Sequence, residues 1–255
     1  MKLTKFITAI IGSTCFALAA HAADLPSRKA PPPSYLAPIS AYSWSGLYAG
    51  VQLGYARQRV VQREFDLLAG GLSTDSMWAW NGGGFVGGGH LGYNAQFDRA
   101  VLGLEGDIEG ASVKSSQTYF DPFVAGVFQS WGVRNNWRGS ARARIGYSFD
   151  RLLPYITGGL AFGGFKSNLN NIGTASEQYS TTRIGWTLGA GLEYALADAW
   201  SVRAEYRYTD FGQFSQSSWL AFPGSRYQTR VTDHSVRLGL SYHFNSQPSR
   251  VVAKY

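Results

Sequence analysis

The chain has 255 residues, 45% of them hydrophobic and 15% aromatic but only 15% charged, with 31 glycines and a formal charge of +7. Fifteen Phe, fifteen Tyr and eight Trp exclude a disordered chain. The lack of any run of about 18 apolar residues beyond the extreme N-terminus excludes a bundle of membrane helices. The basic surplus is scattered, whereas nucleic-acid binding needs a clustered basic face.

Residues 1–22 read as a secretory signal peptide. Lys2 and Lys5 are the positive start, Phe6 to Ala20 the apolar stretch, and Ala20-His21-Ala22 an A-x-A cleavage site. The one cysteine, Cys15, lies inside this segment, so cleavage leaves no thiol and no disulfide. Loss of Lys2 and Lys5 lowers the formal charge from +7 to +5. Residues 23–43 hold five of the nine prolines, at 26, 31, 32, 33 and 38, and read as an extended periplasmic linker. A docking motif around Pro31 to Pro33 is the alternative.

From residue 44 to 244 one pattern recurs eight times: apolar and polar side chains alternate with the period of a β-strand. Leu47, Val51, Leu53 and Tyr55 alternate with Tyr48, Gln52 and Ala56. Phe85, Leu91, Tyr93 and Phe97 stand against Val86, His90, Asn94 and Gln96. Leu102, Leu104 and Ile108 oppose Glu105, Asp107 and Glu109, and Trp137, Ala141, Ala143, Ile145 and Tyr147 oppose Arg138, Ser140, Arg142 and Arg144. A fifth, less regular segment gives Ile156, Leu160 and Phe162 to the apolar face. Ile184, Trp186, Leu188, Leu192 and Tyr194 then oppose Arg183, Thr187 and Glu193. Val202, Ala204, Tyr206 and Tyr208 oppose Arg203, Glu205 and Arg207, and Val236, Leu238, Leu240, Tyr242 and Phe244 oppose Ser235, Arg237, Ser241 and His243.

Alternation alone fits a soluble barrel as well as a membrane one. The connections separate the two. Short links at 98–100, 150–152 and 197–200 alternate with long ones at about 57–80, 113–136, 167–181 and 210–233, the asymmetry of outer-membrane barrels with periplasmic turns and extracellular loops. Aromatics bunch at the short-turn ends (Tyr93, Phe97, Tyr147, Phe149, Tyr194, Tyr242, Phe244) and the long-loop ends (Trp80, Trp137, Tyr208), as two interfacial girdles would. The expected fold is all-β, an eight-stranded antiparallel transmembrane barrel with four long extracellular loops. Since eight strands leave an interior that side chains largely fill, an ionic network of Glu105, Asp107, Glu109, Arg138, Arg142, Arg144, Arg183, Glu193, Arg203, Glu205, Arg207 and Arg237 is expected inside. Gly82 to Gly84, Gly87 to Gly89, Gly158, Gly159, Gly163 and Gly164 suit sharp curvature in a narrow barrel. No Lys-Ser/Thr follows Gly89 to make a phosphate loop.

Several longer stretches add a resemblance. Ala23-Asp24-Leu25-Pro26, Trp44-Ser45-Gly46-Leu47-Tyr48-Ala49-Gly50, Leu104-Glu105-Gly106-Asp107 and Ala143-Arg144-Ile145-Gly146-Tyr147 are four of them. Gly189 to Tyr194, Glu205-Tyr206-Arg207-Tyr208 and Val236 to Phe244 complete the set. Together they resemble the small outer-membrane immunogenic, or porin-family, proteins of alphaproteobacteria. The resemblance implies a surface protein of the bacterial outer membrane that supports the envelope and meets the host through its loops, and whose last strand carries an aromatic insertion signal for the barrel-assembly machinery, here Tyr242 and Phe244. The chain continues beyond that strand as a tail, residues 245–255. The expected partners are outer-membrane lipid, the assembly machinery, and a host surface or other envelope components.

Relatives described as porins or haem binders make those the alternative reading. His90, His234 and His243 lie on separate segments and form no axial pair, with His234 the best single candidate. No cofactor and no metal is expected. Asp233-His234-Ser235 is contiguous, and neighbours on a strand point to opposite faces, which splits a catalytic triad; no enzyme is expected. Trp78, Phe120, Phe123, Phe128, Trp131, Trp219 and Phe222 fall in the long connections, either for partner contact or for packing among themselves.

Overall fold

The computed structural model describes residues 42–66, 76–120, 128–171, 175–217 and 225–244. The signal segment, residues 23–41 of the linker, and the tail lie outside the described residues. Eight strands follow one another: β1 (Gly46–Asp66), β2 (Ser76–Phe97), β3 (Ala100–Phe120), β4 (Phe128–Tyr147), β5 (Leu152–Asn171), β6 (Ala175–Ala195), β7 (Trp200–Ser217) and β8 (Ser225–His243). Each pairs antiparallel with its sequence neighbours, and β8 returns to β1 to close a barrel. Three tight turns at one end join β2 to β3, β4 to β5 and β6 to β7. Asp98 and Asp150 take positive φ there, 54° and 56°, a conformation that Asp tolerates through its short polar side chain.

Over the turn-proximal half the alternation resolves into an apolar outer wall and a polar lumen. Val51, Leu104, Ile108 and Leu238 are each more than 60% exposed, while Glu105, Arg142 and Glu193 are buried. Among the described residues no apolar layer covers the outward ones, and a hydrocarbon surrounding suits them. Tyr93, Tyr147, Tyr194, Trp200, Tyr242 and Phe244 ring this belt near the turns. Trp137, Trp186, Tyr206 and Tyr208 ring its far side, with Trp186 and Tyr208 in ring contact at 5.3 Å.

The strands are longer than their apolar stretches, and much of the four long connections is strand. The strands run 18–22 residues. At about 3.3 Å per residue and a tilt of about 40°, twenty residues rise roughly 50 Å, about twice the apolar band of such a barrel. Beyond the belt the alternation keeps its period and reverses its sign. Arg57, Arg59, Lys114, Arg134, Lys166 and Arg230 point out, while Val60, Trp80, Trp131, Val133, Phe165, Phe214, Tyr227 and Val231 point in. Trp80 therefore sits inside the barrel and not in the outer girdle, because at its height the outside is water. Register shifts at Gly110/Val113, Asn135/Trp137 and Asp210/Gln213 mark this level on β3, β4 and β7.

The ladder also parts here. β2 and β3 pair no further than Gly83 with Lys114, and β6 and β7 no further than Trp186 with Asp210. Above the two seams the wall becomes two four-stranded sheets, β7-β8-β1-β2 and β3-β4-β5-β6. Their inner faces meet through aromatic contacts, Trp78 on Trp131 at 5.0 Å, Tyr227 on Trp131 at 5.6 Å and Phe165 on Phe211 at 4.8 Å. The outer half thus packs as a sandwich of sheets, apolar within and polar without. Leu238→Arg, midway on β8 between Tyr242 of the near girdle and His234, the register partner of Tyr208 in the far one, should lower stability by about 2–4 kcal/mol. Thr182→Arg, outward but beyond the belt, should stay within about 0.5 kcal/mol; urea unfolding of both variants in lipid vesicles checks this.

Candidate functional site: the ionic lumen and its aromatic plug

The lumen is closed at the turn end by the segment before β1. Trp44 is completely buried and packs with Tyr42, Val101, Leu153 and Ala195. Its indole N–H donates to the carbonyl of Asp150 at 3.0 Å, and its backbone N–H donates to the Gln96 side chain at 2.7 Å. The Tyr42 backbone N–H donates to the Asp150 carboxylate at 2.9 Å. The plug is thus tied to the end of β2 and to the β4–β5 turn, and Tyr42, within the expected linker, packs with the barrel.

Above the plug, charge is arranged in tiers. The first centres on Glu193. Arg144 donates to one carboxylate oxygen; Ser201 and His243, 3.3 Å away, contact the other. The Arg144 guanidinium lies 3.7 Å from the Tyr155 ring centroid and 5.8 Å from that of Tyr48, so aromatic faces stabilise the part of the cation that carboxylate does not reach. Both tyrosine rings lie on glycines. A Cβ at Gly92 would stand 2.4 Å from Tyr48, and one at Gly191 would stand 2.6 Å from Tyr155.

The second tier centres on Glu105. Arg142, its direct partner in the β3–β4 register, donates to one oxygen, and Arg203 reaches the other at 2.5 Å from across the lumen. The Tyr48 hydroxyl donates to Glu105 at 2.8 Å, and the Tyr155 hydroxyl to Glu205 at 3.0 Å. Arg142 also meets Glu205 at 3.0 Å and Asp107 at 3.2 Å, and Arg207 joins those two carboxylates at 2.7 and 3.2 Å. In the third tier Arg237 grips both oxygens of Glu109, at 2.8 and 3.0 Å, and Arg138 pairs with Asp233 at 3.0 Å. Glu109 and Arg138 are register partners on β3 and β4, yet each is paired with β8 instead.

Six carboxylates (Glu105, Asp107, Glu109, Glu193, Glu205, Asp233) thus face six arginines (Arg138, Arg142, Arg144, Arg203, Arg207, Arg237), all buried. Equal numbers of the two signs lower the cost of holding charge out of water, and each carboxylate is met by more than one donor or by a bidentate arginine, except Asp233. Arg183 stands apart from the network. It lies at the β6–β7 seam, half-buried, with its guanidinium 4.5 Å from the Phe214 ring centroid. Asp233 and the neutral partners Tyr48, Tyr155 and Gln52 were not singled out from the sequence for this cluster. Asp233 shares the parity of Ser235 and Arg237 on β8, which is the signal that could have found it. In the Asp233-His234-Ser235 run, Asp233 and Ser235 are buried and His234 is exposed on the outer face, its Nδ1 2.6 Å from the Tyr206 hydroxyl, so the three do not form a triad. Tyr242 and Phe244 are exposed on the outer wall at the turn end, rings 5.2 Å apart, and the Phe244 N–H bonds to Leu47 of β1.

An apolar belt with two aromatic girdles around a closed, charged lumen defines an integral outer-membrane β-barrel protein. Residues 9–244 match the family model described as outer membrane protein beta-barrel domain, and the chain belongs to that family. It is 37% identical over 241 residues to the 31 kDa outer-membrane immunogenic protein of Brucella melitensis, covering 90% of this chain and 95% of that one. It is 32% identical over 229 residues to the 25 kDa outer-membrane immunogenic protein of Brucella abortus, with coverage of 90% and 92%. It is therefore a member of the alphaproteobacterial outer-membrane immunogenic proteins and resides in the bacterial outer membrane. Among solved structures, the outer membrane protein OprG of Pseudomonas aeruginosa matches with a TM-score of 0.45 at 12% identity, over 78% of this chain and 97% of that one.

Glu105→Gln removes the charge that faces Arg142 and Arg203 and should lower stability by about 3–5 kcal/mol. Asp198→Asn, which removes an exposed turn pair with Arg151, should cost less than about 1 kcal/mol. Urea unfolding of the refolded variants, followed by tryptophan fluorescence, measures both.

Proposed function

We propose that this protein is a structural, non-enzymatic component of the outer membrane: a barrel with a filled lumen that reinforces the envelope and holds a rigid surface above it for contact with a host or with other envelope components. The observation that carries the reading is the set of buried side chains that reach across the lumen at successive heights. Trp44 and Tyr42 close the periplasmic end, ion pairs cross the lumen from β3 and β4 to β6, β7 and β8, and an aromatic cluster fills the space above. A diffusing solute would have to break several buried charge pairs at once, each held by geometry that a rearranged side chain cannot keep. The immunogenic relatives support exposure at the cell surface. In this reading the outer lipid is held by the belt, and Tyr242 and Phe244 carry the signal to the assembly machinery.

The porin alternative differs in a measurable way. The refolded mature protein in a planar bilayer should give no steady large conductance. Trp44→Gly combined with Arg203→Gln, which removes the plug and one cross-lumen cation, should raise the open probability. A steady large pore in the wild type would overturn the reading.

A further inference from the structure

One row of the ladder on the outer wall carries cations on four of five consecutive strands. Arg57 of β1 pairs with Gly83 of β2, Gly83 with Lys114 of β3, Lys114 with Arg134 of β4, and Arg134 with Lys166 of β5. All four basic residues are exposed. Gly83 brings no side chain to the row, and the Tyr55 hydroxyl lies over it, 2.3 Å from where a Cβ would stand. A neutral hydrogen-bonding group therefore occupies the one gap.

Like charges directly opposite on neighbouring strands destabilise a sheet, their Cβ atoms being only about 5 Å apart. Here Lys114, Arg134 and Lys166 stand so in succession, and among the described residues no carboxylate pairs with any of them. Six lumen arginines of the same barrel each meet a carboxylate, whereas these outward cations stand side by side with none. Its height is equally particular. Arg57 lies two residues beyond Tyr55, Arg134 three beyond Trp137 and Lys166 four beyond Phe162. With the strand rise and tilt of such a barrel these three lie about 5–10 Å above the lipid belt, about the depth of a charged headgroup layer, and Lys114, six beyond Ile108, lies about 15 Å above it.

We propose that this row is a docking site for the phosphate groups of the glycolipid that forms the outer leaflet. A multivalent anion lying along the row relieves the repulsion between neighbouring cations, with the Arg134 guanidinium forking onto one phosphate and the lysines acting as point charges on either side. Acyl chains packed on the belt below deliver such a headgroup to this height, whereas a polyanion from solution has nothing to hold it there. The proposal rests on the reading given above that the long strand ends face the cell exterior; the belt and the family show an outer-membrane barrel independently of it.

The test uses the mature protein refolded in an uncharged detergent, with heat-modifiable gel mobility to establish that each variant is closed. Diphosphorylated lipid A is titrated against wild type and the K114Q/R134Q/K166Q variant. Binding should weaken on the order of a hundredfold at low salt in the variant. R63Q/R226Q, which removes exposed cations higher on the wall, should bind as wild type does. Dephosphorylated lipid A should bind weakly to all, and neither inorganic phosphate nor a heparin fragment should displace the lipid. A second readout separates binding from folding: without lipid A the triple variant should resist urea as well as wild type or better, and with lipid A the order should reverse. Equal lipid affinity in the two proteins, displacement by the heparin fragment, or lower urea resistance of the triple variant in both media would each overturn the proposal. A failure of the belt itself would appear separately, as loss of insertion into neutral vesicles.

Discussion

Hydrocarbon offers no partner to a backbone N–H or carbonyl, and this constraint organises the molecule. Every strand crossing the belt must pair on both sides, so the sheet must close. Closure with eight strands makes a lumen too narrow for bulk water and too large to leave empty. The outward positions are then committed to aliphatic and aromatic side chains, and the inward ones must fill the cylinder with whatever can be mutually satisfied. The ladder obeys this where it must: all eight interfaces are paired through the belt, and the two seams open only above it, where water can reach the freed backbone groups.

Filling the cylinder with ions is a costly choice unless the charges cancel and their lone pairs are used. Both conditions hold here. Arginine suits the lumen because its planar fork can hold two carboxylates from different strands at once, as Arg142 does with Glu105 and Glu205 and Arg207 with Asp107 and Glu205. These links run across the lumen and not merely along the wall, so they brace strands that share no ladder. Above the belt the same strands have water outside, and the inner face reverts to the apolar packing of a soluble sandwich. Bulges gather at this level, and on β4 and β7 they change which residues turn inward, so that Trp131, Phe211 and Phe214 face the interior above them.

The period-two pattern and the short turns make the architecture legible in the sequence, because in the belt the two faces differ in kind, oil against full charge. The outer half is not legible in the same way. A stretch such as Arg57-Gln58-Arg59-Val60 reads as loop when apolar residues are assumed to face out, although it is strand with Val60 inside. The same assumption sent Trp80 to the girdle and left Asp233 in a loop. For the lumen, parity identifies which residues turn inward. It says nothing of who pairs with whom, since Arg203 and Glu105 are 98 residues apart and meet only across a closed cylinder. Arg183 shares the parity but sits above the reach of the carboxylates, at a seam that no sequence pattern announces.

The central claim is that the outward face of each strand lies in lipid below the far girdle and in water above it. Nitroxide labels placed singly at outward positions of β1 test this most directly, using relaxation by dissolved oxygen and by a water-soluble nickel chelate in reconstituted vesicles. Labels at 51 and 53 should be relaxed by oxygen and shielded from the chelate, and labels at 57, 59 and 63 should show the opposite, with the crossover near 55. Aqueous accessibility at 51 and 53, or oxygen-dominated relaxation continuing to 63, would contradict the account.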